Sequence, residues 1–395
     1  MQFLVFAVGI ILFIGLVLVH EWGHFIVARR NGVIAEEYGL GFPPRIWGKK
    51  LKSGMILSLN WLPLGGFVKL KGENDSDERK GSLGAASLPA KAKIMLAGVL
   101  MNLLAGLLIL TVLAWWGMPK LLTNNNIGEE QFTVASDTHV IKQMVLTGAI
   151  VPGSPADKAG LRPTDSLLKI SDAHQTRQLK TDEQVHDATQ AFAGQKVTIT
   201  YERGNQIMTS HIQLLSKNAV QASLKTDNPQ GYLGIIPNPI QIQRSTWSAP
   251  VVAVGLTGQI FKLTFVGIGH AFGGLGSLIA GGVTGNHTAR VNGQTEASSQ
   301  VGGPVAIGVA LWDYGSLGLH FMLFLIALIS LTLALMNVLP IPALDGGRLA
   351  MMLVSRGIFR RPLSRVVEER IVGTSFVLLL GLVALITVVD VKRFF

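Results

Sequence analysis

The 395-residue chain contains no cysteine. That absence excludes a disulfide framework, a thiolate metal site and a cysteine nucleophile, and it leaves the redox compartment open. Any metal would have to be held by imidazole and carboxylate. Charge is also scarce: Asp, Glu, Lys and Arg make up 15% of the residues against 49% hydrophobic ones, and the mean hydropathy is +0.42. This composition lies outside the soluble range and implies a polytopic membrane protein with room for one extramembrane domain. Acidic residues are the rarer sign, 24 against 34 basic, for a formal net charge of +10. The basic residues are dispersed and accompany no nucleic-acid-binding module, so no nucleic-acid partner is expected. Membrane topology, with lipid as the neighbour, accounts for them better.

Four stretches are apolar enough to span a bilayer, at roughly 3–28, 94–118, 317–339 and 371–389. The first lacks a basic leader and a small-residue cleavage site, and its charges, Arg29 and Arg30, follow the apolar run. It reads as a retained helix rather than a signal peptide. Residues 29–93 carry 12 Lys/Arg in 65 positions, whereas 119–317 carry 14 in 199. Arg348, Arg356, Arg360, Arg361, Arg365 and Arg370 add a second dense segment. Both dense segments are expected on the cytoplasmic side, which puts the N terminus, the long central region and the C terminus outside.

His20-Glu21-Trp22-Gly23-His24 lies within the first span. Helical residues four apart share a face, so both imidazoles can reach one metal ion with Glu21 beside them as a base, the pattern of a zinc peptidase. Ionisable groups in a span are costly, which favours function over a pair of satisfied core histidines. At about 1.5 Å per residue, His20 lies about 25 Å along a helix entering from outside, toward the cytoplasmic half of the bilayer. The third span runs inward and ends in Asn337-Val-Leu-Pro340-Ile-Pro342-Ala-Leu-Asp345-Gly346-Gly347, which delivers a carboxylate at matching depth. Asp345 is therefore the candidate third ligand, completing the three-ligand catalytic zinc arrangement. Its other reading is a cap on a Pro-broken helix end. The remaining histidines show no ligand spacing.

These motifs, together with Leu62-Pro63-Leu64-Gly65-Gly66-Phe67-Val68 in the first cytoplasmic loop and Gly303-Pro304-Val305 before the third span, resemble the bacterial site-2 proteases of the RseP/RasP type. Their order and spacing match over nearly the whole chain. The resemblance implies an intramembrane Zn2+ metalloprotease of the bacterial plasma membrane that cuts transmembrane segments of substrates already shortened by another protease. It further implies His20, His24 and Asp345 as metal ligands, Glu21 as catalytic base, and Asn337 as a residue that holds the substrate backbone near the metal, with Pro340, Gly65, Gly66 and Phe67 also in the substrate region. Anti-sigma factors, leftover signal peptides and pheromone precursors all fit that substrate class.

The stretch 53–61, followed by Pro63 and Gly65-Gly66, reads as a β-hairpin or loop beside the first span, able to add substrate as a strand. Residues 122–226 have soluble character, and Gly148-Ala149-Ile150-Val-Pro-Gly-Ser-Pro-Ala with its flanking strands resembles a PDZ domain, whose peptide groove would involve Gly148, Ala149 and Ile150. The expected fold is thus a polytopic α-helical membrane protein with four transmembrane helices, a cytoplasmic β-hairpin or loop region and one extracytoplasmic PDZ-like α/β domain. The first half of the membrane core is expected at 1–121 and the second at 317–395. Residues 227–316 would form a linker holding an interfacial amphipathic helix at about 250–280 and a polar stretch at 283–300. Asp75, Asp77, Glu78, Arg79 and Lys80 read as a solvated loop. A PDZ-bearing scaffold would not need the metal motif, and a zinc-carrying transporter would need polar residues spread through its spans.

Overall fold

The computed structural model describes residues 2–121, 130–204, 206–225, 229–284, 286–288 and 303–394. Five helices among these are long and apolar enough to cross a membrane: Phe3–Arg30, Leu88–Trp116, Ala249–Gly274, Leu319–Val338 and Arg365–Arg393. Helix is the form such sequences take in lipid, because every backbone amide then finds its partner within the segment. By length and composition this is one helix more than the four expected, the addition being Ala249–Gly274. Two compact units share the chain. One comprises Met1–Gly9, Leu110–Leu256 and Ala310–Leu325, and the other Ile10–Ile109, Thr257–Val309 and Ile326–Phe395.

The second unit carries the metal motif. Helix α1 (Gln2–Arg30) stops at Gly32, whose φ of +76° lets the Val33 N–H return to the Ala28 carbonyl at 3.0 Å. The expected hairpin follows as β1 (Ala35–Lys50) and β2 (Ile56–Leu70). Tyr38 and Gly39 are in register with Val68 and Phe67 on one side and with Leu57 and Ser58 on the other, while Trp47 to Lys50 are in register with Leu59 to Ile56. The two strands therefore lie in four rows, 66–70, 35–40, 56–60 and 45–50, with the row holding Gly66 and Phe67 at one end. Tyr38 fastens this sheet to α1 by donating its hydroxyl to the Leu18 carbonyl at 2.6 Å. Helix α2 (Leu88–Trp116) approaches α1 backbone to backbone: a Cβ on Gly23 would lie 2.6 Å from the Ala97 carbonyl oxygen.

In the first unit, strands β3 (Met118–Lys120), β4 (His139–Leu146), β5 (Ser166–Ser171), β6 (Thr176–Gln178), β7 (Lys196–Arg203), β8 (Gln206–Gln213) and β9 (Asn238–Arg244) form one sheet. Its order is β3-β9-β4-β5-β7-β8, with β6 on β5. Between them run α3 (Pro155–Lys158), α4 (Asp182–Ala191) and α5 (Lys217–Ser223), with Ser154 and Thr181 accepting the N-terminal amides of the first two. Val145, Leu167, Ile170, Val185, Phe192 and Ile199 are fully buried at its centre. The closing hairpin is β7 against β8, and the sheet also takes in β3 and β9, which lie outside 122–226.

Helix α6 (Ala249–Thr284) is continuous for 36 residues, through the Gly-rich stretch from 273. Of the polar stretch expected at 283–300, residues 285 and 289–300 lie outside the described residues. The chain resumes as α7 (Pro304–Ser316), α8 (Leu319–Val338), α9 (Asp345–Leu353), a π-helical turn at Val354–Ile358 and α10 (Arg365–Phe394).

The acidic loop after the hairpin departs from expectation at one residue. Arg79 and Lys80 are exposed, and hydrogen bonds from Arg79 draw the Asp77 carboxyl down to about 2. Asp75, by contrast, is 2% exposed. It contacts the fully buried Lys91 ammonium, accepts from Arg356 Nε at 2.8 Å, and donates its own N–H to Glu368 at 2.9 Å. Its cations arrive from α2 and from the π-helical turn, 16 and 281 positions away, so no local charge pattern marked the residue as buried. Removing one partner of a buried ion pair strands the other, at a cost of about 3–5 kcal/mol. Asp75→Ala is thus expected to lower the thermal unfolding midpoint of the detergent-solubilised protein sharply. Glu78→Ala, at an exposed position, is expected to change stability by less than about 0.5 kcal/mol.

Candidate metal centre

The i, i+4 spacing in α1 brings His20 and His24 to one side of the helix, with their Nε2 atoms 3.2 Å apart. Asp345 Oδ2 lies 3.2 Å from each of them. These three are the His, Asp and Glu group able to hold a metal ion among the described residues. The side chains are 12%, 10% and 19% exposed, so the cluster is withdrawn from bulk water. The alternative reading of Asp345 as a helix cap has no support: Leu344 takes the N-cap position of α9, and Asp345 Oδ2 is buried with no hydrogen-bond partner. A buried carboxylate oxygen that meets only two imidazole nitrogens is short of a cation. Three atoms about 3.2 Å apart can all lie about 2.0–2.1 Å from one common point, the range of zinc bonds to His nitrogen and carboxylate oxygen. Donor chemistry and spacing both fit zinc.

Asp345 reaches this point because the chain breaks after α8. A tight turn through Pro340 and Pro342 folds back onto the start of α9, where a Cβ on Gly346 or Gly347 would lie 2.1 or 2.0 Å from the carbonyl oxygens of Val338 or Ile341. Only glycine allows so close a return. Asn337 is half-buried on the last turn of α8, and Pro340 is exposed in the break.

Helix α2 supplies the remaining wall. The Ile94 carbonyl accepts from His24 Nδ1 at 2.7 Å, Gly98 faces both imidazoles, and Asn102 places its amide 3.3 Å from His20 Nδ1. A Cβ on Gly98 would lie 2.3 Å from His24 Nε2. None of these α2 groups figured among the sequence expectations. The available signal was a glycine and an asparagine four apart inside an apolar span, a pairing that marks close helix contact and a polar task.

Gly66 lies against Glu21 itself: a Cβ there would come 3.3 Å from Glu21 Cγ and 3.1 Å from Val17. The end row of the hairpin, with Gly66 and Phe67, thus runs past Glu21, and Gly65 precedes it. Of the expected groove residues in the first unit, Ala149 already accepts from the Ile236 N–H at 2.8 Å and Ile150 is bridged to Ile235. Gly148 precedes them with φ +51°. That backbone side is paired within the chain.

The family model described as peptidase family M50 matches residues 8–266 and 281–382. A protein of Clostridium perfringens assigned by name to the zinc metalloproteases is 29% identical over 391 residues, covering 99% of this chain and 98% of that protein. A Nostoc protein named in the same way is 31% identical over 93% of this chain and 90% of its own length. Zinc metalloprotease RasP of Shouchella clausii is 24% identical over 98% of both chains.

Gly98→Ala is expected to push a methyl group into the space where the three ligand atoms converge. Zinc content per protein, measured by elemental analysis, should fall well below that of the unaltered chain while the helical circular dichroism is retained. Full zinc occupancy in this variant would show that the metal lies elsewhere.

Proposed function

Because the chain belongs to peptidase family M50 and is a zinc metalloendopeptidase with several membrane helices, we propose that it hydrolyses peptide bonds within the transmembrane segments of its substrates. The observation that carries this reading is the convergence of Asp345, which follows the break after α8, on His20 and His24 beside Glu21 of α1, with α1 and α8 both long and apolar enough to lie in a bilayer. Pre-trimmed single-span proteins and signal-peptide-like segments, with anti-sigma factors and pheromone precursors among them, are the substrate class, and the process is regulated intramembrane proteolysis.

His20, His24 and Asp345 hold the ion. Zinc, when bound, supplies a Lewis acid that polarises a carbonyl and makes a nearby water more acidic. Glu21 carries the proton: its carboxylate accepts one from the attacking water as the C–O bond forms and then returns it to the amide nitrogen, which leaves as the amine when the C–N bond breaks. Asn337, near the break that carries Asp345, binds the substrate backbone through its amide, with Pro340 shaping the same strip.

A helical substrate hides its amides in its own hydrogen bonds and has to be unwound first. Gly65, Gly66 and Phe67 guide the unwound strand past Glu21. A small apolar cavity of about 60 Å3, bordered by Phe13, Ile14, Val17, Leu40, Leu59 and Gly65, lies one to two turns before Glu21 on α1. It suits a small apolar side chain of such a strand.

The β-sheet unit is read as a PDZ-like domain outside the membrane that filters substrates by size or by their cut ends. With Ala149 and Ile150 already paired, a peptide would meet the groove around Gly148 from the other side. The orientation is read from the dense Lys/Arg segments, taken as cytoplasmic, together with the metal group. Asp345 meets His20 and His24 only if α1 and α8 end at the same level, so the chain between α2 and α8 makes no net crossing. Both termini and the sheet are then outside, and the metal lies toward the cytoplasm of a bacterial inner membrane, with α6 lying along the interface.

Two experiments test this reading. Glu21→Gln is expected to lower the cleavage rate of a single-span substrate in proteoliposomes by about 10²–10⁴-fold with zinc retained; undiminished cutting would refute the assignment. Since the chain has no cysteine, single substitutions at the exposed Thr209 and Thr288, Thr209→Cys and Thr288→Cys, give clean labels. Both should react with an impermeant maleimide from outside the cell. Labelling of residue 288 from inside only would mean that α6 crosses alone.

A further inference from the structure

We propose that Asn102 is a positioning residue that fixes the tautomer of His20, its side-chain carbonyl accepting a hydrogen bond from His20 Nδ1–H. The inference rests on the reading of His20 as a zinc ligand. Helix α2 presents Ile94, Gly98 and Asn102 at intervals of four, one above another on the face turned to the imidazoles. For His24 the arrangement is unambiguous. A backbone carbonyl can only accept, so the 2.7 Å contact with Ile94 places the proton on His24 Nδ1 and leaves the Nε2 lone pair for a metal.

Asn102 takes the corresponding place behind His20. It is 1% exposed inside an apolar span, where a polar side chain is costly without a task. Its Nδ2 stands 3.3 Å from His20 Nδ1, while its Oδ1 is buried without a hydrogen-bond partner. In that orientation the amide nitrogen donates, Nδ1 must be bare, and the ring proton sits on Nε2. Yet Nε2 is the atom that meets His24 and Asp345, and a protonated nitrogen cannot ligate.

Turning the amide by 180° leaves its shape unchanged and resolves the conflict at the ring. The orphaned carbonyl oxygen gains a donor, and His20 acquires the tautomer that a zinc ligand needs. A role limited to knitting α2 to α8 would engage the side chain with α8. Instead, the contact to α8 is made by the Asn102 backbone carbonyl, which accepts from the buried Ser330 hydroxyl at 2.7 Å. The side chain is left turned to His20.

The test is zinc affinity of the full-length protein in detergent, measured by chelator competition, with the visible spectrum of the Co2+-substituted protein as a second reading. Asn102→Leu keeps the volume and removes the acceptor; its zinc affinity should fall about 10–100-fold and its Co2+ spectrum should change. Asn102→Asp keeps the acceptor and should bind zinc at least as tightly as the unaltered chain. Wild-type affinity in the leucine variant would overturn the proposal, as would an equal loss in both variants. Should the leucine variant not fold, the aspartate variant decides: retained affinity supports the proposal and a tenfold loss overturns it. His20→Ala separates the two readings. If it binds zinc as the unaltered chain does, the ligand assignment itself falls, and the role of Asn102 with it.

Discussion

The meeting of one carboxylate with two imidazoles sets the terms for much of the membrane part of this protein. Asp345 Oδ2 and the Nε2 atoms of His20 and His24 are 3.2 Å apart in pairs, in a place where none of them is well hydrated. Such a cluster suits a cation held among the three. It constrains the backbone in turn. The chain has to break after α8 at the depth where α1 carries its histidines, α2 has to come close enough to close the third side, and the residues at closest approach have to be small. Gly23, Gly98, Gly346 and Gly347 each stand where a Cβ would collide with backbone or with an imidazole.

The hairpin answers a different need. On the proposed reading, the substrate amides are hydrogen-bonded to one another, and a β-row beside Glu21 offers a template on which an unwound strand can be held. Tyr38 ties that sheet to α1 three residues before Glu21. Buried charge does comparable work: Asp75, Lys91, Arg356 and Glu368 link the loop after the hairpin to α2, the π-helical turn and α10.

Much of the site was legible in the sequence. The i, i+4 histidines with an intervening glutamate follow from helical geometry alone, and Asp345 could be chosen as their partner because charge asymmetry gave the spans a direction and span length gave a depth. The hairpin was visible from its turn residues, though it runs from 35 to 70 rather than over the shorter stretch that alternates. What escaped were groups whose meaning lies in a distant partner. Asp75 sits in a run of charges that looks solvated, and its burial depends on cations from two other elements. Gly98 and Asn102 look like ordinary members of a span until α1 is laid against them. Strands β3 and β9 join the sheet of the first unit from outside the segment with soluble character, since pairing is decided by neighbours in space.

The sequence by itself determined the class of protein, the metal motif, the need for imidazole and carboxylate ligands in the absence of cysteine, and a candidate for each ligand. Those features depend on composition and on periods of one helical turn, which every local segment carries within it. The tertiary structure decided which backbone carbonyl orients His24, which side chain stands behind His20, which glycines clear the space for an ion, and which acidic residue is structural rather than solvated. Each of these depends on a distance between atoms far apart in the chain, and packing alone sets such distances.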